Sequence, residues 1–261
     1  MSDTNGITLH YEQLGEGPRL LYCNGSGTTL DSSRPLLNMM SAQFELLAFD
    51  YRGMGRSATV TEPYAMADVA ADVAALLDAV GWDRPALAGL SYGGMVAQEF
   101  AVTFPDRIDR LALLATSPGG AFASYPLETL TDLSALERGL RSLNLADRRW
   151  TAEWFDAHPE DAALVSTLAA DMPAEETAAQ AQGRLFQLQA RKRHDVLDRL
   201  HRVTCPTFVG SGRYDDIAPV ANGQAIVDRV TNAALYVYES GHLFLLQDPA
   251  AWPAIAAFFG A

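Results

Sequence analysis

The chain has 261 residues, 49% of them hydrophobic, which is enough for one α/β domain with a large core. Its formal net charge of −13 disfavours nucleic acid and anionic membrane surfaces as partners. The first ten residues, MSDTNGITLH, lack the basic start and apolar stretch of a secretion signal, and no apolar run reaches membrane-spanning length, so we expect a cytoplasmic protein.

The first part of the chain alternates between strand and helix patterns. Turn signals such as Asn5-Gly6 separate short apolar runs, and the first two predicted strands should lie next to each other at a sheet edge. A long amphipathic helix covers residues 66–80 and ends at Gly81. The predicted strands cover residues 7–14, 19–24, 46–49, 86–90 and 108–115. Both cysteines, Cys23 and Cys205, lie beside predicted strands and are expected to be buried, reduced thiols.

A serine occupies the turn between the strand over residues 86–90 and the helix that follows it. The turn reads Gly89-Leu90-Ser91-Tyr92-Gly93, which is a G-x-S-x-G pattern. So tight a turn forces Ser91 into a strained backbone conformation with its hydroxyl pointing outward, and the two glycines fit where strand and helix pass too close for a β-carbon. The helix begins here, so its free N–H groups face any anion formed near Ser91. This context predicts a nucleophilic serine.

The strand–helix alternation stops at about Ser117 and resumes near residue 204. The segment over residues 118–203 has a helical pattern, and the chain then returns to strand, helix, strand and helix. Such alternation predicts parallel strands with helices on both faces of a central sheet. We therefore predict a core made of residues 1–117 and 204–261, and a helical cap over the carboxyl edge of the sheet made of residues 118–203.

A serine needs a base, and the base needs an orienting group. Of the five histidines, His242 alone follows a core strand, in a loop where Gly241 frees the backbone. The acid should follow another core strand, and the loop after residues 208–210 holds two adjacent carboxylates, Asp215 and Asp216. Position alone leaves both of them open.

At this point the sequence resembles the α/β-hydrolase superfamily over nearly its whole length. In that family a G-x-x-D-x-x-x-P turn carries the acid, and Gly212, Asp215 and Pro219 match this spacing whereas Asp216 does not. The resemblance implies a triad in the family's order, Ser91, Asp215 and His242. Further matching segments are Asp50-x-Arg52-Gly53-x-Gly55-x-Ser57 and Gly241-His242 with Asp248-Pro249. The resemblance also implies the α/β-hydrolase fold, with a mostly parallel sheet and a helical cap inserted after the sixth core strand.

The expected oxyanion hole consists of the backbone N–H groups of Ser26 and Tyr92. The family commonly has His-Gly before this loop, whereas this chain has Asn24-Gly25. Because backbone groups make the hole, loss of the histidine need not disable it.

These parts predict a serine hydrolase that cleaves a small carboxylic ester or lactone through an acyl-enzyme, without a metal or other cofactor. Carbon–carbon bond hydrolases, thioesterases, cofactor-free perhydrolases and aminopeptidases share the same parts, and a ligand-binding protein without turnover is the alternative from another class. A dinucleotide fingerprint at Gly53–Ala58 is rejected, because a β-branched, proline-bearing segment follows it instead of a helix.

Substrate preference should come from the cap, because the other predicted groups serve any ester. Aromatic side chains there, with residues beside the serine and histidine, are candidates for an apolar pocket. The candidates are Gly25, Phe122, Tyr125, Trp150, Trp154, Phe186 and Leu243. The sequence does not indicate the oligomeric state.

Overall fold

The computed structural model describes residues 2–170 and 177–260. Its strands are β1 (Ser2–Thr4), β2 (Ile7–Leu9), β3 (Tyr11–Leu14), β4 (Arg19–Cys23), β5 (Glu45–Phe49), β6 (Ala86–Leu90), β7 (Leu111–Leu114), β8 (Thr207–Gly212) and β9 (Ala233–Tyr238). Its α-helices are α1 (Arg34–Ser41), α2 (Met66–Val80), α3 (Tyr92–Thr103), α4 (Ala135–Ala146), α5 (Ala152–Ala157), α6 (Pro159–Ala170), α7 (Ala178–Lys192), α8 (Val220–Val227), α9 (Phe244–Gln247) and α10 (Ala251–Phe259). Short 3₁₀ helices cover Pro105–Arg107, Leu127–Leu130 and Leu197–Arg202.

Seven strands form the central sheet in the order β3-β5-β4-β6-β7-β8-β9. Only the edge strand β3 runs antiparallel to its neighbour, with Tyr11 opposite Phe49, and the remaining pairs are parallel. The fold is therefore the mostly parallel α/β arrangement that the sequence predicts. Consecutive parallel strands place their carboxyl ends on one edge, which is where ligands bind in such sheets.

The predicted adjacency of the first two strands is wrong. β4 lies between β5 and β6, because its apolar residues 20–23 are buried on both faces and suit the sheet interior. Residues 7–14 also divide into two strands, of which β2 pairs with β1 in a separate two-stranded sheet. The helical segment follows β7, which is the strand predicted over residues 108–115.

Helices cover both faces of the sheet. Side chains alternate along β4, so that Leu21 packs with α2 and α3 on one face while Leu20 packs with α1 and α10 on the other. The helix predicted over residues 66–80 is confirmed, and it ends at Gly81 in the left-handed conformation with φ 69°. Both cysteines are buried and free, as predicted, and burial raises the pKa of the Cys23 thiol to about 12.

The segment between β7 and β8, which we call the insert (residues 118–203), is helical wherever it forms regular structure in its described part. It has a small apolar cluster of its own that contains Leu130, Leu145 and Trp150 and extends to Ile217 in the loop after β8. The insert therefore packs against the carboxyl edge of the sheet. Among the described residues, no helix combines the length and apolar character needed to cross a bilayer.

Candidate active site

Ser91 lies between β6 and α3 in a strained conformation, with φ 55° and ψ −114°. Its N–H donates to Leu114 O at 2.8 Å, and its carbonyl oxygen accepts from the Thr116 hydroxyl at 2.7 Å and from Gly94 N–H at 3.0 Å. Strain of this kind costs about 1–3 kcal/mol and persists only where neighbours enforce it. The predicted strained turn is confirmed, and β7 is the neighbour that holds it.

The two glycines of the turn are required by close backbone approaches. A β-carbon on Gly89 would overlap the Gly93 carbonyl, and a β-carbon on Gly93 would overlap the Cys23 carbonyl at the end of β4. The turn is therefore packed directly against the neighbouring strand, with no room for a side chain at either position.

Asp215 and His242 come together at the carboxyl edge. His242 Nδ1 lies 2.7 Å from Asp215 Oδ2, and both side chains are buried. Asp215 Oδ1 accepts from the backbone N–H groups of Ile217 at 2.7 Å and Ala218 at 2.9 Å. These bonds fix the carboxylate, which in turn fixes the imidazole ring. Asp216 has a 44% exposed side chain that pairs with Arg148 at 3.1 Å instead.

Ser91 and His242 both retain slight exposure, 8% and 7%. No hydrogen bond joins the Ser91 hydroxyl to His242 in the described part of the chain. In enzymes without substrate, catalytic hydrogen bonds are often long and shorten only in the complex. The assignment of Ser91, Asp215 and His242 as a triad stays a prediction.

The loop after β4 lies beside Ser91. A β-carbon on Gly25 would lie 3.9 Å from Ser91 Cβ. Within residues 2–170 and 177–260, the backbone N–H groups of Ser26 and Tyr92 have no acceptor, which leaves them available to an anion. The next residue of the loop is held by the insert, because Gly27 N–H donates to the Gln187 side chain at 2.7 Å. Sequence reasoning did not identify Gln187, since no local pattern shows which residue of α7 would meet this loop.

Asn24 stands where the family commonly has histidine, and it is 2% exposed. Its carbonyl oxygen accepts from the Tyr51 hydroxyl at 2.9 Å. This bond anchors the loop from the core side, so the backbone after Asn24 is held at both ends. The oxyanion-hole assignment remains a prediction.

A cavity of about 130 Å³ opens beside this loop. The described residues that line it are Ser26, Gly27, Leu127, Leu130, Arg138, Ser142, Arg184 and Leu188. Its lining is thus leucine side chains with two arginines, although the whole chain carries a net charge of −13. Sequence reasoning missed the arginines because it searched the insert for aromatic residues.

None of the seven predicted pocket residues is among the described residues that line this cavity. Tyr125, Trp150, Trp154 and Leu243 pack together in the apolar cluster of the insert. Phe186 belongs to the main core, and the guanidinium of Arg229 lies 5.7 Å from the Phe122 ring centre. Gly25 lies next to Ser91, as described above. Their roles in substrate binding remain predictions.

A second cavity, of about 230 Å³, lies between the loop after β7 and the end of α7. Arg191 and His194 line it and are both buried. Burial, together with the charges of Arg199 and Arg191, lowers the pKa of His194 to about 3. His194 is therefore neutral in the folded protein near pH 7, and neither triad nor oxyanion residues line this cavity.

The fold and the arrangement at its carboxyl edge define a member of a known family. A family model for the alpha/beta hydrolase fold matches residues 18–249, and the chain belongs to this family. It is 28% identical over 252 residues to 3-oxoadipate enol-lactonase 2 of Acinetobacter baylyi, which covers 94% of this chain and 90% of that protein. It is also 29% identical over 229 residues to a poly(3-hydroxyalkanoate) depolymerase of Ectopseudomonas oleovorans, covering 87% of this chain and 78% of that protein. A solved hydrolase from Pseudomonas aeruginosa superposes with a TM-score of 0.81 at 28% identity, covering 98% of this chain and 96% of that chain.

Proposed function

We propose that this chain is a serine hydrolase that cleaves small carboxylic esters or lactones, and that the insert is its cap. The observation that carries the proposal is the buried pair His242 and Asp215, held at 2.7 Å on the same sheet edge as the strained Ser91. A buried carboxylate that fixes one ring nitrogen of a histidine is the arrangement that orients a general base. The names of the enol-lactonase and depolymerase relatives support the same reaction class.

In the proposed acylation, the Ser91 hydroxyl attacks the substrate carbonyl while His242 Nε2 takes its proton. Asp215 keeps the other proton on Nδ1 and stabilises the imidazolium that forms. The backbone N–H groups of Ser26 and Tyr92 donate to the new oxyanion, assisted by the positive end of α3. His242 then gives its proton to the departing alkoxide, which in a lactone stays attached to the acyl group.

Deacylation repeats these steps with water as the nucleophile. His242 takes a proton from the water as it attacks the acyl carbonyl, and the Ser91 oxygen leaves and recovers that proton. The carboxylic acid is released and the enzyme returns to its starting state. No group beyond these side chains and backbone donors is required.

The cavity beside Ser26 favours a substrate that bears a carboxylate of its own. Its only charged lining residues in the described part of the chain are Arg138 and Arg184. The Arg138 side chain is half-buried, and toward the described residues its guanidinium donates one hydrogen bond, a long one of 3.4 Å to Leu133 O. A guanidinium in this state suits bidentate binding of a carboxylate. The proposed substrates are therefore small esters or lactones that carry an anionic group.

Turnover and labelling test the proposal together. We expect a fluorophosphonate probe to add one adduct mass at Ser91, and p-nitrophenyl esters of short acids to be hydrolysed over many cycles. Ser91→Ala should abolish both, whereas Ser117→Ala, at a buried serine after the neighbouring strand, should retain them. Labelling at another serine would contradict the nucleophile assignment.

The same panel separates an enzyme from a binding protein. A single burst of product followed by no further release would indicate a binding protein on this scaffold. Hydrolysis of dicarboxylic monoesters faster than of neutral esters of equal length would support the role proposed for Arg138.

A further inference from the structure

The insert contacts the loops that carry the proposed acid and base at the C-terminal end of α4. His242 N–H donates to Ala146 O at 2.6 Å, and Asp216 N–H donates to Leu145 O at 3.0 Å. The last carbonyl groups of a helix have no partner within the helix. Here the carbonyl groups of Leu145 and Ala146 accept hydrogen bonds from the backbone N–H groups of the two loops.

The next residue, Asp147, carries a fully buried carboxylate that lies between the insert and the histidine loop. Its Oδ1 accepts from the backbone N–H of Arg149 at 3.0 Å and from Nε of the same residue at 2.9 Å. Its Oδ2 accepts from Arg149 Nη2 at 2.6 Å and from Gln247 Nε2 at 2.9 Å. We call these three residues, Asp147, Arg149 and Gln247, the Asp147 bridge.

The Asp147 bridge holds the backbone that leads into His242. Gln247 Oε1 accepts from Gly241 N–H at 3.0 Å, and Arg149 Nη1 donates to Glu239 O at 3.0 Å. The contact is also close, because a β-carbon on Gly241 would overlap the Ala146 carbonyl and lie 2.6 Å from Asp147 Cβ. The histidine loop therefore rests directly on the insert, with no side chain between them.

We infer that Asp147 is a positioning residue, which fixes residues 239–242 against the insert and so aligns His242 with Ser91. The inference rests on the proposed function, since alignment matters only if His242 accepts the Ser91 proton. A misplacement of about 1 Å in a reacting group reduces rates by about 10²-fold. Loss of the bridge should thus lower the rate of chemistry and leave substrate binding nearly unchanged.

Asp147→Asn tests this role with little change in size. The amide oxygen can still accept from Arg149 at the Oδ1 position, but the NH₂ group then faces the donors of Arg149 and Gln247. We expect kcat on a p-nitrophenyl ester, and the rate of fluorophosphonate labelling of Ser91, each to fall about 10²-fold. KM should change less than threefold.

A charge exchange distinguishes positioning from a general loss of structure. Gln247→Glu alone places a second carboxylate against Asp147 and should lower kcat as Asp147→Asn does. In the double variant Asp147→Asn with Gln247→Glu, the asparagine NH₂ donates to the new carboxylate, which still accepts from Gly241 N–H. We expect the double variant to recover at least tenfold in kcat and labelling rate over either single variant.

Asp161→Asn is the matched control, because Asp161 is also a buried carboxylate of the insert but bonds to Trp154 Nε1 at 2.7 Å and not to the histidine loop. It should keep the parent labelling rate even where its melting temperature falls. Parent rates in Asp147→Asn, equal losses in Asp161→Asn, or no recovery in the double variant would each overturn the inference. If the wild-type protein is not labelled at Ser91 at all, the proposed function fails, and this inference fails with it.

Discussion

The exchange of Asp215 for asparagine should remove turnover while it preserves the fold. In the parent, Asp215 Oδ1 accepts from two backbone N–H groups, at 2.7 and 2.9 Å, and Oδ2 accepts from His242 Nδ1 at 2.7 Å. An asparagine must point its amide oxygen at the two backbone donors, since the reverse orientation would set an NH₂ group against both of them. Its NH₂ then faces His242 Nδ1, so the ring proton moves to Nε2 and the ring can no longer accept the Ser91 proton.

The expected loss is about 10⁴-fold in kcat, or about 5.5 kcal/mol, which is the size known for loss of the orienting acid of a triad. Asp216→Asn is the matched control because it changes the adjacent residue in the same way. Its ion pair with Arg148 joins side chains that are 44% and 47% exposed. Such pairs contribute about 0.2–1 kcal/mol, so the change in kcat should stay below about fivefold.

Initial rates on a short p-nitrophenyl ester, together with fluorophosphonate labelling of Ser91, measure both variants, and circular dichroism confirms that each is folded. A loss smaller than tenfold in Asp215→Asn would refute the orienting role. A loss above 10²-fold in Asp216→Asn, with Asp215→Asn active, would show that the family's spacing was applied to the wrong carboxylate.

Three further predictions concern the cavity, the turn and a buried histidine. Arg138→Gln should raise KM about tenfold for an ester with an anionic acyl group but not for its neutral counterpart. The control Arg141→Gln, on the exposed side of α4, should leave KM unchanged for both esters. Equal effects of Arg138→Gln on the two esters would contradict carboxylate recognition. Gly93→Ala should slow labelling of Ser91, because the new methyl group overlaps the Cys23 carbonyl. The control Gly81→Ala has open space around the new methyl group, so it should cost about 1–2 kcal/mol of stability and leave the labelling rate unchanged. Equal labelling rates in the two variants would show that the turn tolerates a side chain. His194 has a pKa of about 3 in the folded protein and a reference value of 6.5, so between these pH values the unfolded chain binds a proton that the folded chain does not. The free energy of unfolding therefore decreases as the pH is lowered from 6.5 toward 3. Between pH 7.5 and 5.0 the parent should lose about 2 kcal/mol more unfolding free energy than His194→Gln in urea titrations, and identical losses would contradict a buried neutral ring.

The turn around Ser91 was predictable because every requirement on it is local. A buried strand, two glycines at fixed distances from the serine and a helix in direct succession leave one backbone path, and the structure follows it with φ 55° at Ser91. The pairing of Asp215 with His242 could not be predicted from local pattern alone, because Asp215 and Asp216 are adjacent carboxylates in the same loop. There the family's spacing favoured Asp215, and that residue is the one hydrogen-bonded to the ring.

The order of the first strands was not predictable from their own residues. Apolar patterning shows that residues 20–23 are buried, but it does not show which strands lie on either side. The connection from β4 through α1 to β5 returns the chain to the outer side of β4, and so β4 becomes an interior strand. Only the packing of the whole sheet decides this order.

The lining of the cavity depends on how the insert docks, which helical periodicity does not encode. Aromatic residues are the usual walls of small-molecule pockets, and the sequence reasoning chose them for that reason. In the structure Trp150 is only 4% exposed within the cluster that joins the insert to the loop after β8. Such residues hold the insert in place, while Leu127, Leu188 and Arg138 face the cavity.

Helix α4 carries residues that line the cavity beside Ser26 as well as a contact with the histidine loop. Arg138 and Ser142 lie four residues apart, on one face of the helix, and both line the cavity beside Ser26. One turn further on, Ala146 accepts the N–H of His242, and Asp147 begins the bridge to the histidine loop. Arg138 and Ala146 belong to one continuous hydrogen-bonded helix, so a change in how this helix docks alters both the cavity and the contact with the histidine loop. Substitutions at this end of the insert should for that reason change kcat as well as substrate preference.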